Sequence, residues 1–240
     1  GMTSIDVLTV LGHDLKSPLN AVESYLEIMQ NRVLGDSVEP YLPILEKSVS
    51  RLHQMRELIT DVVDWSRIRT PSPSRALTTL DVSKTARAIL GGFREPARAR
   101  NITIAADIKD GLIMEAGTGE IELVLRHLID NAVKYNRVDG SVTVTITKAG
   151  AGITVEVADT GIGMTGEEQS RLFQEFVRIK NENTRDIWGT GLGLAIVRQI
   201  VGLYGGTVSV RSEPDRGTTF SITLPLRWRA SQPASEDIVL

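Results

Sequence analysis

Three separated groups in the second half of this 240-residue chain have the residue types to bind a nucleotide: Asn131, Asp159-Thr160-Gly161-Ile162-Gly163, and Gly189-Thr190-Gly191-Leu192-Gly193-Leu194. Gly161 and Gly163 remove side chains where a planar base must approach the backbone, and Asp159 offers a carboxylate that accepts from an exocyclic amine. That combination suits adenine. Gly189, Gly191 and Gly193 precede a helical pattern, where free N–H groups and the helix dipole attract phosphate. The amide oxygen of Asn131 suits a magnesium ion, which keeps most of its waters and takes few protein ligands. Far upstream, His13 stands beside Asp14, ahead of Ser17 and Pro18. Asp14 can accept the ring N–H of the imidazole, fixing its tautomer and leaving the other nitrogen free to attack phosphorus. Ser17 falls one turn further along the same helical face. The chain thus carries a phosphoryl donor site and an acceptor site.

The acceptor needs a rigid support, and the surrounding pattern supplies one. From about Ile5 to Val33 the apolar residues form two heptad series: Leu8, Leu15, Val22, Met29, and Ile5, Leu19, Leu26, Val33 with Gly12 in the vacant slot. From about Val38 to Ile68 the series are Leu45, Leu52, Ile59 and Leu42, Val49, Val63, interrupted at Arg56. Sustained heptads predict a coiled-coil seam, and the short Gly35-Asp36-Ser37 connection predicts an antiparallel hairpin. His13 falls just beside the seam, facing solvent, and Pro18, lacking an N–H for the carbonyl of Asp14, is expected to bend the helix. Leu58, Val62 and Trp65 lie off the seam. The expectation is that a second copy covers them in a dimeric four-helix bundle, the alternative being that the rest of this chain does. His53 has no chemical surroundings of this kind and reads as structural or solvated.

Thr70-Pro71-Ser72-Pro73-Ser74 ends the helical period. The expected organisation is a helical hairpin over 4–69, a linker over 70–78, a second domain over 79–226 and a polar tail over 227–240. Asp81 is placed to cap a helix reaching about Phe93; short strands are expected at 102–106 and 112–115, and a helix over 119–135. Period-two alternation marks strands at 141–147 and 153–158 around a Lys148-Ala149-Gly150-Ala151-Gly152 turn, followed by a helix over 191–204 and strands at 207–210 and 218–224. Residues 164–188 are mostly polar and read as a mobile lid with one short helix near Leu172. The fold class is therefore an antiparallel helical hairpin followed by a two-layer α/β sandwich.

Composition bounds the function. With 41% apolar and 24% charged residues and a formal net charge of −3, the chain is globular in type, and no field favours nucleic acid or an anionic membrane surface. The absence of cysteine removes disulfides, thiolate catalysis and cysteine metal sites. No apolar run approaches the ~20 residues of a membrane span, so a cytoplasmic location without direct membrane contact is expected. Gly1 before Met2 reads as an expression remnant, which leaves room for an upstream sensor domain and for a membrane-anchored full-length protein.

His127-Leu128-Ile129-Asp130-Asn131-Ala132-Val133-Lys134-Tyr135-Asn136 resembles the N box of the sensor histidine kinases and of their wider ATPase superfamily. Asp159 to Gly163 resembles the first glycine box, Leu172-Phe173-Gln174-Glu175-Phe176 the F box, Gly189 to Leu194 the second glycine box, and Gly217-Thr218-Thr219-Phe220 the closing strand. His13-Asp14-Leu15-Lys16-Ser17-Pro18-Leu19 resembles the phosphoacceptor box, which usually reads His-Glu-Leu-Arg-Thr-Pro-Leu. The resemblance implies ATP and Mg2+ as cofactors, Asn131 on magnesium, Lys134 and Tyr135 facing phosphates, Thr218 near the base, and His13 as phosphoacceptor. It also implies a homodimer that passes the phosphoryl group to an aspartate of a response regulator, and a reverse phosphatase activity in which Ser17 helps to position water. His127 departs from the pattern, which usually has a second Asn; either it alters the magnesium side of the site or it is a packed helix residue. Two rivals remain open at this point. A clamping ATPase would need a water-activating carboxylate such as Asp130 or Glu122 and leaves His13 unexplained; a non-catalytic scaffold leaves the glycine boxes unexplained.

Overall fold

The structure, a computed structural model, describes residues 4–69, 76–185 and 187–226, with side chains from residue 12 onward. The expected linker up to residue 75, the tail over 227–240 and the side chains of Ile5 and Leu8 lie outside the described residues.

Helices α1 (Ser4–Gln30) and α2 (Leu42–Arg69) form the hairpin, joined through a turn and a short 3-10 segment at Glu39–Tyr41. The Tyr41 hydroxyl closes the turn by donating to the Gly35 carbonyl at 2.9 Å and accepting from Leu34 N–H at 3.0 Å. α1 continues through Pro18, which is buried against the hairpin. The two heptad series of α1 then diverge: Val22 is buried and Leu15 and Met29 half-buried, whereas Leu19, Leu26 and Val33 are exposed. On α2 both series are exposed, through Leu42, Leu45, Val49, Leu52, Ile59 and Val63.

One expectation is corrected by this arrangement. Leu58, Val62 and Trp65 do not wait for a second copy. Leu58 is 3% exposed and packs with Leu15, Val62, Trp65, Phe176 and Trp188, so the sandwich of the same chain covers the off-seam stripe. The stripe left bare is the heptad seam itself.

The second unit contains β1 (Leu77–Asp81), α3 (Val82–Arg98), β2 (Thr103–Ile108), β3 (Ile113–Gly117), α4 (Glu120–Lys134), β4 (Ser141–Ala149), β5 (Gly152–Asp159), α5 (Gly166–Arg171), α6 (Gly193–Leu203), β6 (Thr207–Glu213) and β7 (Gly217–Pro225). Five strands form a mixed sheet in the order β2-β4-β5-β7-β6, parallel between β2 and β4 and antiparallel elsewhere, while β1 and β3 pair separately. Val142, Val144 and Ile146 of β4, Ile153, Val155 and Val157 of β5, and Phe220, Ile222 and Leu224 of β7 are buried at alternate positions. That period sets one face of the sheet against α3, α4 and α6, and the two-layer α/β sandwich follows.

Asp81 caps α3 as expected, its carboxylate accepting from Lys84 N–H at 3.0 Å. The helix nevertheless runs past Phe93 and through Pro96, because Ala97 at 1% exposure is needed in the core. Strand β1 is an element that the sequence pattern did not reveal. Residues 164–188, apart from 186, carry several local ties: Thr165 and Glu168 form a reciprocal capping box, and Gln169 Nε2 donates to the Ser212 carbonyl at 2.9 Å. Asn181 and the buried Thr184 bind each other's backbone and side-chain groups.

Candidate functional site

The site grows from the C-terminal half of α4. Arg100, from the chain just after α3, donates to the carbonyls of Val133, Lys134 and Asn136 at 2.5, 3.0 and 2.6 Å. A cation on these carbonyls at the C-terminus of α4 fixes the end of the helix. Asn131, Lys134 and Tyr135 are thereby set along one rim of a cleft of about 1030 Å³, counting its open mouth. The lid residues Val177 to Ile179 with Asn181 and Thr184 form a second side, and Gly189 to Gly191 with Gly193 and Leu194 a third.

The floor is the end of β5. Asp159 lines the cleft, and its Oδ1 accepts from Gly161 N–H at 2.8 Å and Thr218 N–H at 3.3 Å. Burial pushes its carboxyl up to about 6, and those two N–H groups only partly offset the effect. A half-desolvated carboxyl fixed at the bottom of a pocket is well placed to take an amine donor. The glycines around it are required sterically. A Cβ on Gly161 would lie 2.3 Å from the Tyr135 carbonyl oxygen. One on Gly163, at φ +63, would lie 1.9 Å from that of Glu213.

Of the expected nucleotide residues, the structure brings Asn131, Lys134, Tyr135, Asp159, Gly163, Gly189, Thr190, Gly191, Gly193 and Thr218 into this one cleft. Gly161 and Leu192 do not line it. Gly161 acts by letting the β5 loop close on α4, and Leu192 is fully buried, with its N–H on Thr190 Oγ1 at 3.2 Å. Three carboxylates or histidines able to hold a metal by themselves do not occur together among the described residues. Asn131 lines the cleft, and a single amide oxygen is the kind of protein donor that suits a magnesium ion bound mainly by water and phosphate.

His127 is a packed residue of α4. It lines the cleft, and a Cβ on Gly193 would come within 2.8 Å of its Nδ1, so the third glycine of the phosphate loop makes room for the imidazole. Burial lowers its pKa to about 4, and it is neutral at pH 7.

His13 and its neighbours stand elsewhere. His13 has a side chain 85% exposed, its Nδ1 lies 3.1 Å from Asp14 Oδ1, and Ser17 is exposed. If Nδ1 carries the proton, Asp14 orients the ring and Nε2 keeps a free lone pair turned away from the carboxylate. None of the three lines the cleft. The cleft wall instead includes two residues of α2 that the motifs did not point to, Glu57 and Asp61. Only a negative clue existed in the sequence: their heptad positions are off the seam, beside Leu58 and Trp65.

Comparison with known proteins gives the same division. Residues 4–71 match the family described as His Kinase A (phospho-acceptor) domain, and residues 118–227 match histidine kinase-, DNA gyrase B-, and HSP90-like ATPase. The chain is 30% identical over 98% of its length to the non-motile and phage-resistance protein of Caulobacter vibrioides. It is 31% identical over 91% to the adaptive-response sensory kinase SasA of Rippkaea orientalis, and 27% identical over 93% to the sensor-like histidine kinase SenX3 of Mycolicibacterium smegmatis. It spans 28%, 57% and 58% of the lengths of those three proteins. Among solved structures, histidine kinase AdeS of Acinetobacter baumannii shares the fold at TM-score 0.71 and 20% identity, covering 89% of this chain and 98% of its own. Full-length ShkA in complex with AMPPNP matches at TM-score 0.67 and 25% identity over 96% of this chain and 47% of that one. ThkA in complex with the response regulator protein TrrA matches at TM-score 0.71 and 20% identity over 92% and 61%.

Proposed function

Since the chain belongs to the sensor histidine kinases and carries their catalytic core, we propose that it phosphorylates His13 from ATP and passes the phosphoryl group to an aspartate of a response regulator. The observation that carries this reading is the pairing of an exposed, acid-oriented imidazole on a helical hairpin with a separate cleft that gathers Asn131, Asp159 and the 189–193 loop. In the proposed reaction Nε2 of His13 attacks the γ-phosphorus of ATP in line and ADP leaves. Phosphoryl transfer of this kind depends chiefly on position and charge. Asp159 would hold the adenine amine and the N–H groups of the 189–193 loop the phosphates, with Lys134 adding a positive charge. Magnesium, held through Asn131, would neutralise charge on the phosphates. His13 lies outside the cleft, so hairpin and sandwich must change their relative placement, or the imidazole must come from a second copy. Ser17, on the same exposed face, would position water when the phosphorylated regulator is hydrolysed.

Incubation with γ-labelled ATP and magnesium tests the reading: the chain should acquire an acid-labile, base-stable label that moves to a receiver domain on mixing. Steady phosphate release from an unlabelled chain would favour a clamping ATPase instead. No helix among the described residues is long and apolar enough to cross a membrane.

The bare heptad seam supports a homodimer. Leu19, Leu26, Leu45, Val49, Leu52, Ile59 and Val63 are 36–60% exposed, and apolar residues repeated along two helices are the usual material of a four-helix bundle. Leu52→Asp puts charge in that seam at a position 49% exposed in the hairpin. The expected result is a mass that halves in light scattering while helicity is retained.

A further inference from the structure

Glu57 and Asp61, one turn apart on α2, are acidic groups in a wall of the nucleotide cleft, and recognition of a polyanion gives no reason for them to be there. Asp61 is buried, and its Oδ2 accepts from Thr190 Oγ1 at 2.5 Å. Its Oδ1 lies 4.0 Å from Nε2 of His127, a buried nitrogen without a hydrogen-bond partner among the described residues. Glu57 Oε1 is 3.8 Å from Lys134 Nζ. Thr190 is in the middle of the phosphate loop, and Lys134 is a cation on the cleft rim. Each is therefore already engaged by a carboxylate oxygen from the hairpin.

Apolar contacts brace the same junction. The Trp65 ring meets Phe176 edge-on with centroids 6.1 Å apart, and Leu58 packs against Phe176 and Trp188. Phe176 sits at φ 60, an uncommon conformation for an aromatic residue, with its N–H on the Gly191 carbonyl at 3.0 Å. The lid, the phosphate loop and α2 thus share one contact region.

We propose that Glu57 and Asp61 form an internal phosphate mimic: docked on α2, the cleft holds the hairpin's carboxylates on its phosphate-binding groups, and ATP binds by displacing them. Entry of the triphosphate and release of the sandwich from the hairpin are then one event. The proposal rests on the nucleotide reading of the cleft. Ionised carboxylates and phosphate oxygens repel strongly when both are partly desolvated, so the two cannot share Thr190 and Lys134. Burial also pushes both carboxyls above the ordinary carboxylate range; the charge of Asp130 adds to the rise at both and that of Asp64 at Asp61, while Lys134 opposes it at both and the Thr190 hydroxyl opposes it at Asp61. Because His13 lies outside the docked cleft, the same displacement frees the sandwich to travel towards an acceptor.

Calorimetric titration of the full chain with ATP, ADP and adenosine, each with magnesium, tests the proposal when wild type is compared with Asp61→Ala and Asp61→Asn. Asp61→Ala should bind ATP about tenfold more tightly, a change on the scale of one hydrogen bond to a charged group, with adenosine unaffected because competition lies at the phosphate end. Asp61→Asn keeps an oxygen for Thr190 but removes the charge that repels phosphate, so its gain in ATP affinity should fall between wild type and Asp61→Ala. Tryptophan emission, read in a Trp228→Phe background, should shift red when ATP is added to wild type and should start red-shifted in Asp61→Ala. Equal ATP affinity in wild type and Asp61→Ala would overturn the proposal. So would a gain shared equally by adenosine, which would signify simple steric cover, or an equal gain in Asp61→Asn, which would signify charge repulsion without a clasp. Failure of every variant to bind ATP while circular dichroism shows them folded would overturn the nucleotide reading itself and the mimic with it.

Discussion

His13→Gln is expected to remove labelling from γ-labelled ATP down to background, a fall of roughly a thousandfold or more, as when an enzyme loses its nucleophile. Glutamine keeps a polar, flexible side chain of similar reach but has no nitrogen lone pair able to attack phosphorus. The site lies on an exposed helix face, with the imidazole 85% exposed and its Nδ1 3.1 Å from Asp14 Oδ1, so folding should be unaffected. The cleft is built from other residues, and nucleotide affinity should stay within a factor of about two, since this surface replacement lies away from those lining residues. Gel labelling and calorimetry on one preparation separate the outcomes. A label that survives the substitution would assign the nucleophile elsewhere, and loss of nucleotide binding together with label would place His13 inside the cleft. Asp14→Asn should give an intermediate result, because an amide can still accept the ring N–H but no longer stabilises positive charge on it.

Short-range patterns made most of the fold legible. Period-two runs located β4, β5 and β7, whose buried alternation is the one the sheet uses, and the Asp81 cap located the start of α3. Failures came where distant contacts decide. Leu77–Asp81 is short and half-exposed, and it becomes a strand only because β3 lies beside it. Pro96 reads as a stop in isolation, yet the core's need for Ala97 carries α3 past it. The heptad pattern located the hairpin but not its partners. Seam and off-seam stripes look equally apolar in one dimension, and Trp65 and Leu58 are distinguished only by the lid that folds over them.

The cleft divides in the same way. Asn131, Asp159 and the glycine loop were visible because their spacing and side-chain sizes are local features of the chain, of the kind a nucleotide would demand. Arg100, which binds three carbonyls at the end of α4, gave no local signal. Nor did Asp61, whose partner Thr190 is distant in sequence. His127 was ambiguous until its fit against Gly193 was seen: the imidazole and the absent Cβ occupy one space. That pairing explains how the N-box departure can coexist with an intact phosphate loop.

Asp159→Asn should weaken ATP binding by about a hundredfold while making the ligand-free protein more stable at pH 8. In the proposed function the carboxylate accepts from the exocyclic amine of adenine, and an amide that must also present an NH2 group pairs poorly with a second donor. Backbone geometry should survive, because Asn Oδ1 can still accept from Gly161 and Thr218 N–H, which Asp159 binds at 2.8 and 3.3 Å. Stability moves the other way because burial raises the folded carboxyl from 3.8 to about 6. Below about pH 4 the acid is protonated in both folded and unfolded chains and imposes no charge burial. As pH rises through 4 to 6 the unfolded chain releases its proton first, and wild type loses on the order of 2 kcal/mol. Asparagine suffers no such loss. Melting curves should therefore separate by several degrees at pH 8 and converge towards pH 4. His127, with its pKa lowered to about 4 from 6.5, gives the opposite slope: the unfolded chain takes up a proton as pH falls through 6.5, so stability declines towards acid. The two slopes partly cancel in wild type, and Asp159→Asn should expose the histidine's as a steeper acid-side loss. A variant that binds ATP normally would remove Asp159 from the adenine site. A melting difference that does not change with pH would show that its carboxyl is solvated after all.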